Sequence, residues 1–238
     1  MSNQNMTYTL DKNDAFPMVR ISLPKGEKIL IEPGCMVYRN EGIVLSATLN
    51  NGGSGGIFKA YVRSARSGES MYKTEVESIS DDALIVIAPS LPGQIVELEV
   101  GEKHYFLNDG VFLAMDETVN YSIQRTTFHK ALLAGQGGMY VMETNGVGKM
   151  IINAYGSLDK IELDGTQTIT IDNHHVIAWD SSLNYDIRLE TGSIGGSVRT
   201  GEGIVNTFSG VGTIYLQTLN IRSLYNAIRP FIPRNHSK

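Results

Sequence analysis

The chain has 238 residues, 42% of them hydrophobic, with 25 glycines, one cysteine and a formal net charge of −5. That size suits one compact domain or a fused set of small ones, with enough apolar residues for a sizeable core. The acidic balance argues against nucleic acid, whose phosphates need a clustered basic surface. No stretch reaches the roughly 18 apolar residues of a spanning helix.

In chain order the elements are short. The opening MSNQNMTYTLDKND is polar, lacks a signal-peptide pattern and offers one strand at 7–10. A soluble, cytoplasmic protein is the expectation, and the lone Cys35 has no internal disulfide partner. Strands are predicted at 18–23, 29–32, 36–39 and 43–48, punctuated by Pro33-Gly34 and Glu41-Gly42. Residues 50–56 (NNGGSGG) read as a loop. A phosphate-cradling role is rejected there because no Lys-Ser/Thr follows the glycines. Strands at 71–76 and 83–88 come next, and the second (ALIVIA) is apolar enough for burial on both faces. The Pro89–Gly93 turn leads to a strand at 94–100.

Gly101–Ile123 and Gly165–Ile187 then align without a gap at an offset of 64 residues. Gly101/Gly165, Ala114/Ala178, Asp116/Asp180, Asn120/Asn184, Tyr121/Tyr185 and Ile123/Ile187 are identical, and Gly146-Val147-Gly148 falls on Gly210-Val211-Gly212. Strands are predicted at 104–107, 111–114, 119–125, 139–143 and 149–154, and in the second copy at 204–208 and 213–218 around a Gly210 turn. Val119, Tyr121 and Ile123 alternate with polar residues, as do Leu183, Tyr185 and Ile187, which is the period of a half-buried strand. Segments 129–134 and 193–200 occupy equivalent connections, the first a single helical turn. A more diverged copy lies upstream: Gly26–Gly34 resembles Gly101–Gly110, and from Gly34 the offset to the next copy is 76. Units this long are small β modules rather than solenoid rungs.

The expected fold is therefore all-β: a lead-in (1–19), three homologous units (20–100, 101–163, 164–218) around a pseudo-threefold axis, and a C-terminal helix and tail (219–238). Leu219, Leu224, Tyr225 and Ile228 share a helical face, and Pro230 and Pro233 end the helix. The helix is expected to dock on the β body and cover an open edge. The other reading is an amphipathic surface, made basic by Arg222, Arg229, Arg234 and Lys238, for a partner or anionic lipid.

Candidate chemistry is sparse. His174 and His175 are adjacent, and adjacent strand residues face opposite ways, so only a turn lets them share a metal. Asp116 and Asp180 recur at one position, where Asn40 stands in the first unit. Capping of a turn is the structural reading; acid–base work would need the two carboxylates to converge. Ser64, Ser67 and Ser70 lack a nucleophile-elbow context, and Ser54 meets it only formally within a glycine run. Cys35 and Trp179 read as core residues. No catalytic set, metal site or cofactor is expected.

With the units laid out, a resemblance emerges. Pro33-Gly34 before Cys35-Met36-Val37-Tyr38, Ser67-Gly68-Glu69-Ser70, Ala88-Pro89 with Leu91-Pro92-Gly93, and His174-His175-Val176-Ile177-Ala178-Trp179-Asp180 carry it, with Gly201-Glu202-Gly203 and Tyr215–Thr218. Over about residues 20–232 the chain resembles bacterial relatives of the mitochondrial biogenesis Aim family (altered inheritance of mitochondria, the twenty-fourth member). The resemblance implies a fold like the tryptophan RNA-binding attenuation protein (TRAP), related to the double-stranded β-helix and tripled in one chain. It implies no catalytic motif. The leading functional expectation is a non-enzymatic scaffold, able to form a homo-oligomer, that meets a protein partner through polar strand faces or the C-terminal helix. The alternative is a small-molecule module or cupin-like metal enzyme using His174.

Overall fold

The computed structural model describes residues 6–10, 15–49, 72–125, 140–190 and 203–232. The expectations for the 50–56 loop, the serines at 54, 64, 67 and 70, the connections at 129–134 and 193–200, and Gly201-Glu202 lie outside them. The described chain is mostly strand: β1 (Thr7–Leu10), β2 (Val19–Leu23), β3 (Lys28–Ile31), β4 (Met36–Arg39), β5 (Ile43–Leu49), β6 (Tyr72–Ser78), β7 (Ala83–Ile87) and β8 (Ile95–Val100). Then come β9 (Tyr105–Leu107), β10 (Phe112–Asp116), β11 (Val119–Arg125), β12 (Tyr140–Gly146), β13 (Gly148–Asn153), β14 (Leu158–Asp172), β15 (Val176–Asp180), β16 (Asn184–Leu189) and β17 (Ile204–Gln217). Helix α1 (Ile221–Ile228) and a 3-10 turn (Arg229–Phe231) close it. The all-β expectation with a short C-terminal helix is what the structure shows.

The strands form three antiparallel sheets, ordered β1-β2-β7-β4, β5-β6-β3-β10-β13-β8 and β11-β12-β9-β15-β17-β14, with β16 also on β17. Period-two patterning builds them. In β2, Val19, Ile21 and Leu23 are buried while Arg20 and Ser22 are not. In β16, Ile187 and Leu189 are buried between exposed Asp186 and Arg188. Apolar β7 lies between β2 and β4 and buries Ala83, Ile85, Val86 and Ile87. The core runs between the sheets, for example Leu98, Leu107, Phe112, Met115, Tyr121 and Met150 in one cluster and Trp179, Phe208 and Ile214 in another.

The registers recur with the sequence offsets. β10 pairs β13 through Phe112↔Ile152, Ala114↔Ile151 and Met115↔Met150, with a bulge between Phe112 and Ala114. β15 pairs β17 through Val176↔Leu216, Ala178↔Tyr215 and Trp179↔Ile214, bulged at the corresponding point. β4 pairs β7 in the same way, through Met36↔Ile87, Tyr38↔Val86 and Arg39↔Ile85. A closed threefold arrangement would also bring β14 against β4; among the described residues each is an edge strand.

Two expectations are corrected. Residues 204–217 form one 14-residue strand rather than two joined by a Gly210 turn. Gly210, at φ +103°, bends the strand without ending it. Helix α1 does not bury its apolar face on the described residues of the body: it has no buried residue, and Ile221, Leu224, Tyr225 and Ile228 are all exposed. Its periodicity fixes an apolar face but carries no information about what covers that face. Asn220 caps the helix, its side chain accepting from the Ser223 N–H at 2.8 Å.

Candidate functional site

Asp116 and Asp180 end β10 and β15 and are buried. Asp116 Oδ2 accepts from the Lys149 backbone N–H at 2.6 Å. Asp180 Oδ2 accepts from the Thr213 N–H at 3.1 Å, the same bond 64 residues on. Asn40 Oδ1 accepts from the Leu84 N–H at 3.1 Å, the matching position of the first stretch. Each side chain thus ties the end of one strand to the backbone of the antiparallel strand paired with it. Thr118 and Ser182 extend the pattern, donating their hydroxyls to the Val147 and Val211 carbonyls at 2.6 and 3.0 Å.

The two carboxylates differ in their second oxygen. Asp116 Oδ1 accepts from the Met6 N–H at 2.7 Å, which pins the lead-in onto the six-stranded sheet. Burial pushes the Asp116 carboxyl above the ordinary carboxylate range, against the pull of these two backbone donors. Asp180 Oδ1 is buried with no hydrogen-bond partner, while its Oδ2 also meets Lys103 Nζ at 3.3 Å. The two side chains belong to different sheets and take separate donors, so each is held by its own strand end.

His174 and His175 lie in the turn between β14 and β15, not on a strand. Asp172 Oδ1 accepts from the His174 N–H at 2.7 Å and lies 2.9 Å from its ring Nδ1. His175 Nδ1 is 2.7 Å from the Gln217 carbonyl and its Nε2 is 3.0 Å from Asn220 Nδ2. A carbonyl only accepts and an amide NH2 only donates, so Nδ1 carries the proton and Nε2 accepts. Both ring nitrogens of His175 are therefore engaged, and the ring links the β15 turn to the cap of α1. Among the described residues no group of three or more His, Cys, Asp or Glu is placed to hold a metal.

Other polar contacts were invisible in the sequence because their partners are far apart along the chain. Buried Lys73 donates to Asn120 Oδ1 at 3.0 Å and sits 3.9 Å from the Tyr121 ring centroid. The Tyr8 hydroxyl donates to Glu97, which also receives Lys149 Nζ at 3.1 Å. Burial works against ionised Glu97, but those two donors hold it below its usual range. Burial, then the hydrogen bond to Glu97 and its charge, raises the Tyr8 phenol. Trp179 is fully buried, its ring 5.1 to 5.7 Å from Tyr185, Phe208 and Phe106. No helix of the described residues is long and apolar enough to cross a membrane.

Fold and polar residues together define an all-β protein whose recurrent carboxylates bind its own backbone. The chain belongs to the AIM24 (mitochondrial biogenesis) family, whose model matches residues 8–219. It is 46% identical over 235 residues to an uncharacterized protein of Streptococcus pyogenes serotype M6, covering 98% of this chain and 94% of that one. It is also similar to the crystal structure of a Streptococcus pyogenes protein, with 43% identity and a TM-score of 0.80, over 95% of this chain and 100% of that one.

Proposed function

We propose that this is a cytoplasmic, non-enzymatic scaffold that presents its C-terminal helix to a protein partner. One observation carries the reading: Ile221, Leu224, Tyr225 and Ile228 stand at helical spacing i, i+3, i+4, i+7 and are 56, 37, 51 and 47% exposed. That spacing is how an amphipathic helix enters an apolar groove. Arg222 and Arg229 flank the face, and no acidic residue occurs from 219 to 238, so the fitting groove has an acidic rim. The recurrent Asn40, Asp116 and Asp180 support the scaffold reading, since their bonds serve strand ends. The shared registers support three related units, at 20–100, 101–163 and 164–218.

The test is a photoreactive amino acid placed at Leu224 in cells, with exposed Glu99 as the control position. The reading predicts discrete cross-linked protein bands from 224 and none from 99. Identical background from both positions would contradict it.

A further inference from the structure

The structure makes one kind of strand junction twice. β3 pairs β10 through Ile31↔Ala114, Leu30↔Met115 and Ile29↔Asp116. β9 pairs β15 through Leu107↔Ala178, Phe106↔Trp179 and Tyr105↔Asp180. The junctions match residue for residue, down to the extra bonds from the Glu32 N–H to the Leu113 carbonyl and the Asn108 N–H to the Ile177 carbonyl, both 2.9 Å. Each buries its second strand completely: all five residues of β10 and of β15.

Each half of that junction occurs once more without a mate. β4 lies on β7 in the bulged register that β10 and β15 use, but its other edge has no partner strand among the described residues. Met36, Val37 and Tyr38 are 41, 51 and 45% exposed, whereas Leu113 and Ile177, which match Val37, are each at 1%. At the other end of the chain, residues 168–172 of β14 lie on β17 as β9 lies on β12. Ile171↔Asn206 and Thr170↔Thr207 follow Leu107↔Met142 and Phe106↔Glu143 by 64 residues. The outer edge at 169–171 likewise has no partner strand among the described residues. The remaining edge strands among the described residues, β1, β5, β8, β11 and β16, lack this precedent: none of them corresponds to either half of that junction.

We propose that the two unmated halves join between copies of this chain, β14 of one copy adding to β4 of the next. The internal junctions dictate the register: Ile171 opposite Tyr38, Thr170 opposite Arg39, Ile169 opposite Asn40, antiparallel. The partner is a second copy because the chain itself carries the complementary edge in a register it already uses twice. The contact is heterologous, head to tail, so it closes into a ring or extends as a filament according to the turn per copy. It also covers an apolar edge strand of the kind natural proteins do not leave bare. The inference goes beyond the helix reading and uses different residues, so either can fail alone.

The test is disulfide trapping. Directly opposed antiparallel residues lie about 4.5–5.5 Å apart at Cα, within disulfide range. Tyr38→Cys and Ile171→Cys chains are purified separately, mixed and mildly oxidised. The proposal predicts a disulfide dimer at least tenfold more abundant in the mixture than in either variant alone. The Tyr38→Cys/Ile171→Cys double variant should give a ladder of covalent multiples. No enrichment in the mixture, or a double variant that closes entirely within one chain, overturns the proposal. Sedimentation of unmodified protein gives a second measurement. Tyr38→Glu, a change at an exposed side chain, should reduce the assembly to single chains; an unmodified protein sedimenting as single chains at all concentrations also overturns it.

Discussion

Replacing Asp116 with alanine removes acceptors from two backbone donors at once, the Lys149 N–H at 2.6 Å and the Met6 N–H at 2.7 Å. Each buried donor left unmatched costs about 1–3 kcal/mol. The substitution should therefore destabilise the protein by about 3 kcal/mol, taking the two terms near the middle and low end of that range. For a chain of this size that lowers Tm by about 6–12 °C. Asp180→Ala should cost less, about 1–2 kcal/mol, because only Oδ2 has partners and the loss of the unmatched Oδ1 offsets part of it. The pH dependence has a definite sign. Burial raises the Asp116 carboxyl, so the folded state binds its proton more tightly than the unfolded state. The proton-linked part of its contribution, added to that of the hydrogen bonds, is fullest below the unfolded carboxyl pKa and is lost as pH rises through the raised folded value. The gap between wild type and Asp116→Ala should therefore widen from pH 7 to pH 4. Thermal melts by circular dichroism at both pH values measure all of this. An unchanged Tm for Asp116→Ala, or a larger loss for Asp180→Ala, would refute the strand-tying role.

Two further predictions concern backbone and thiol. A Cβ on Gly93 would lie 1.9 Å from the Ala154 carbonyl oxygen, whereas one on Gly110, at φ +77°, meets nothing within 4 Å. Gly93→Ala should cost about 3 kcal/mol through forced backbone movement and Gly110→Ala only about 1 kcal/mol of conformational strain, a difference that urea titration resolves. Burial, then the charge on Glu32, pushes the Cys35 thiol up to about 12. Because the thiolate is the reactive form, iodoacetamide at pH 8 should leave the native thiol unmodified and label it fully in denaturant; rapid native labelling would contradict the burial.

Much of the strand layout was legible because period-two patterning and Pro-Gly or Gly punctuation are local signals. Thr7–Leu10, Met36–Arg39 and Val119–Arg125 match the expected bounds, and most others fall within one or two residues. The 64-residue offset led directly to Asp116 and Asp180, whose bonds to Lys149 and Thr213 carry that same offset. What the sequence could not show depends on long-range pairing. Whether Gly210 ends a strand or bends it is decided by the strands alongside, here β14 and β16. The Met6 bond to Asp116 spans 110 residues and leaves no local pattern. The helix shows the opposite limit: its apolar face is plain in the sequence, but the same stripe would serve the chain's own body or a partner.

The most direct test of the scaffold reading is native mass spectrometry of the purified full chain. The account predicts masses at multiples of the 26.1 kDa chain and no additional stoichiometric mass. A single-chain species carrying one metal ion or metabolite per copy would contradict it and turn attention to the His174–His175 turn.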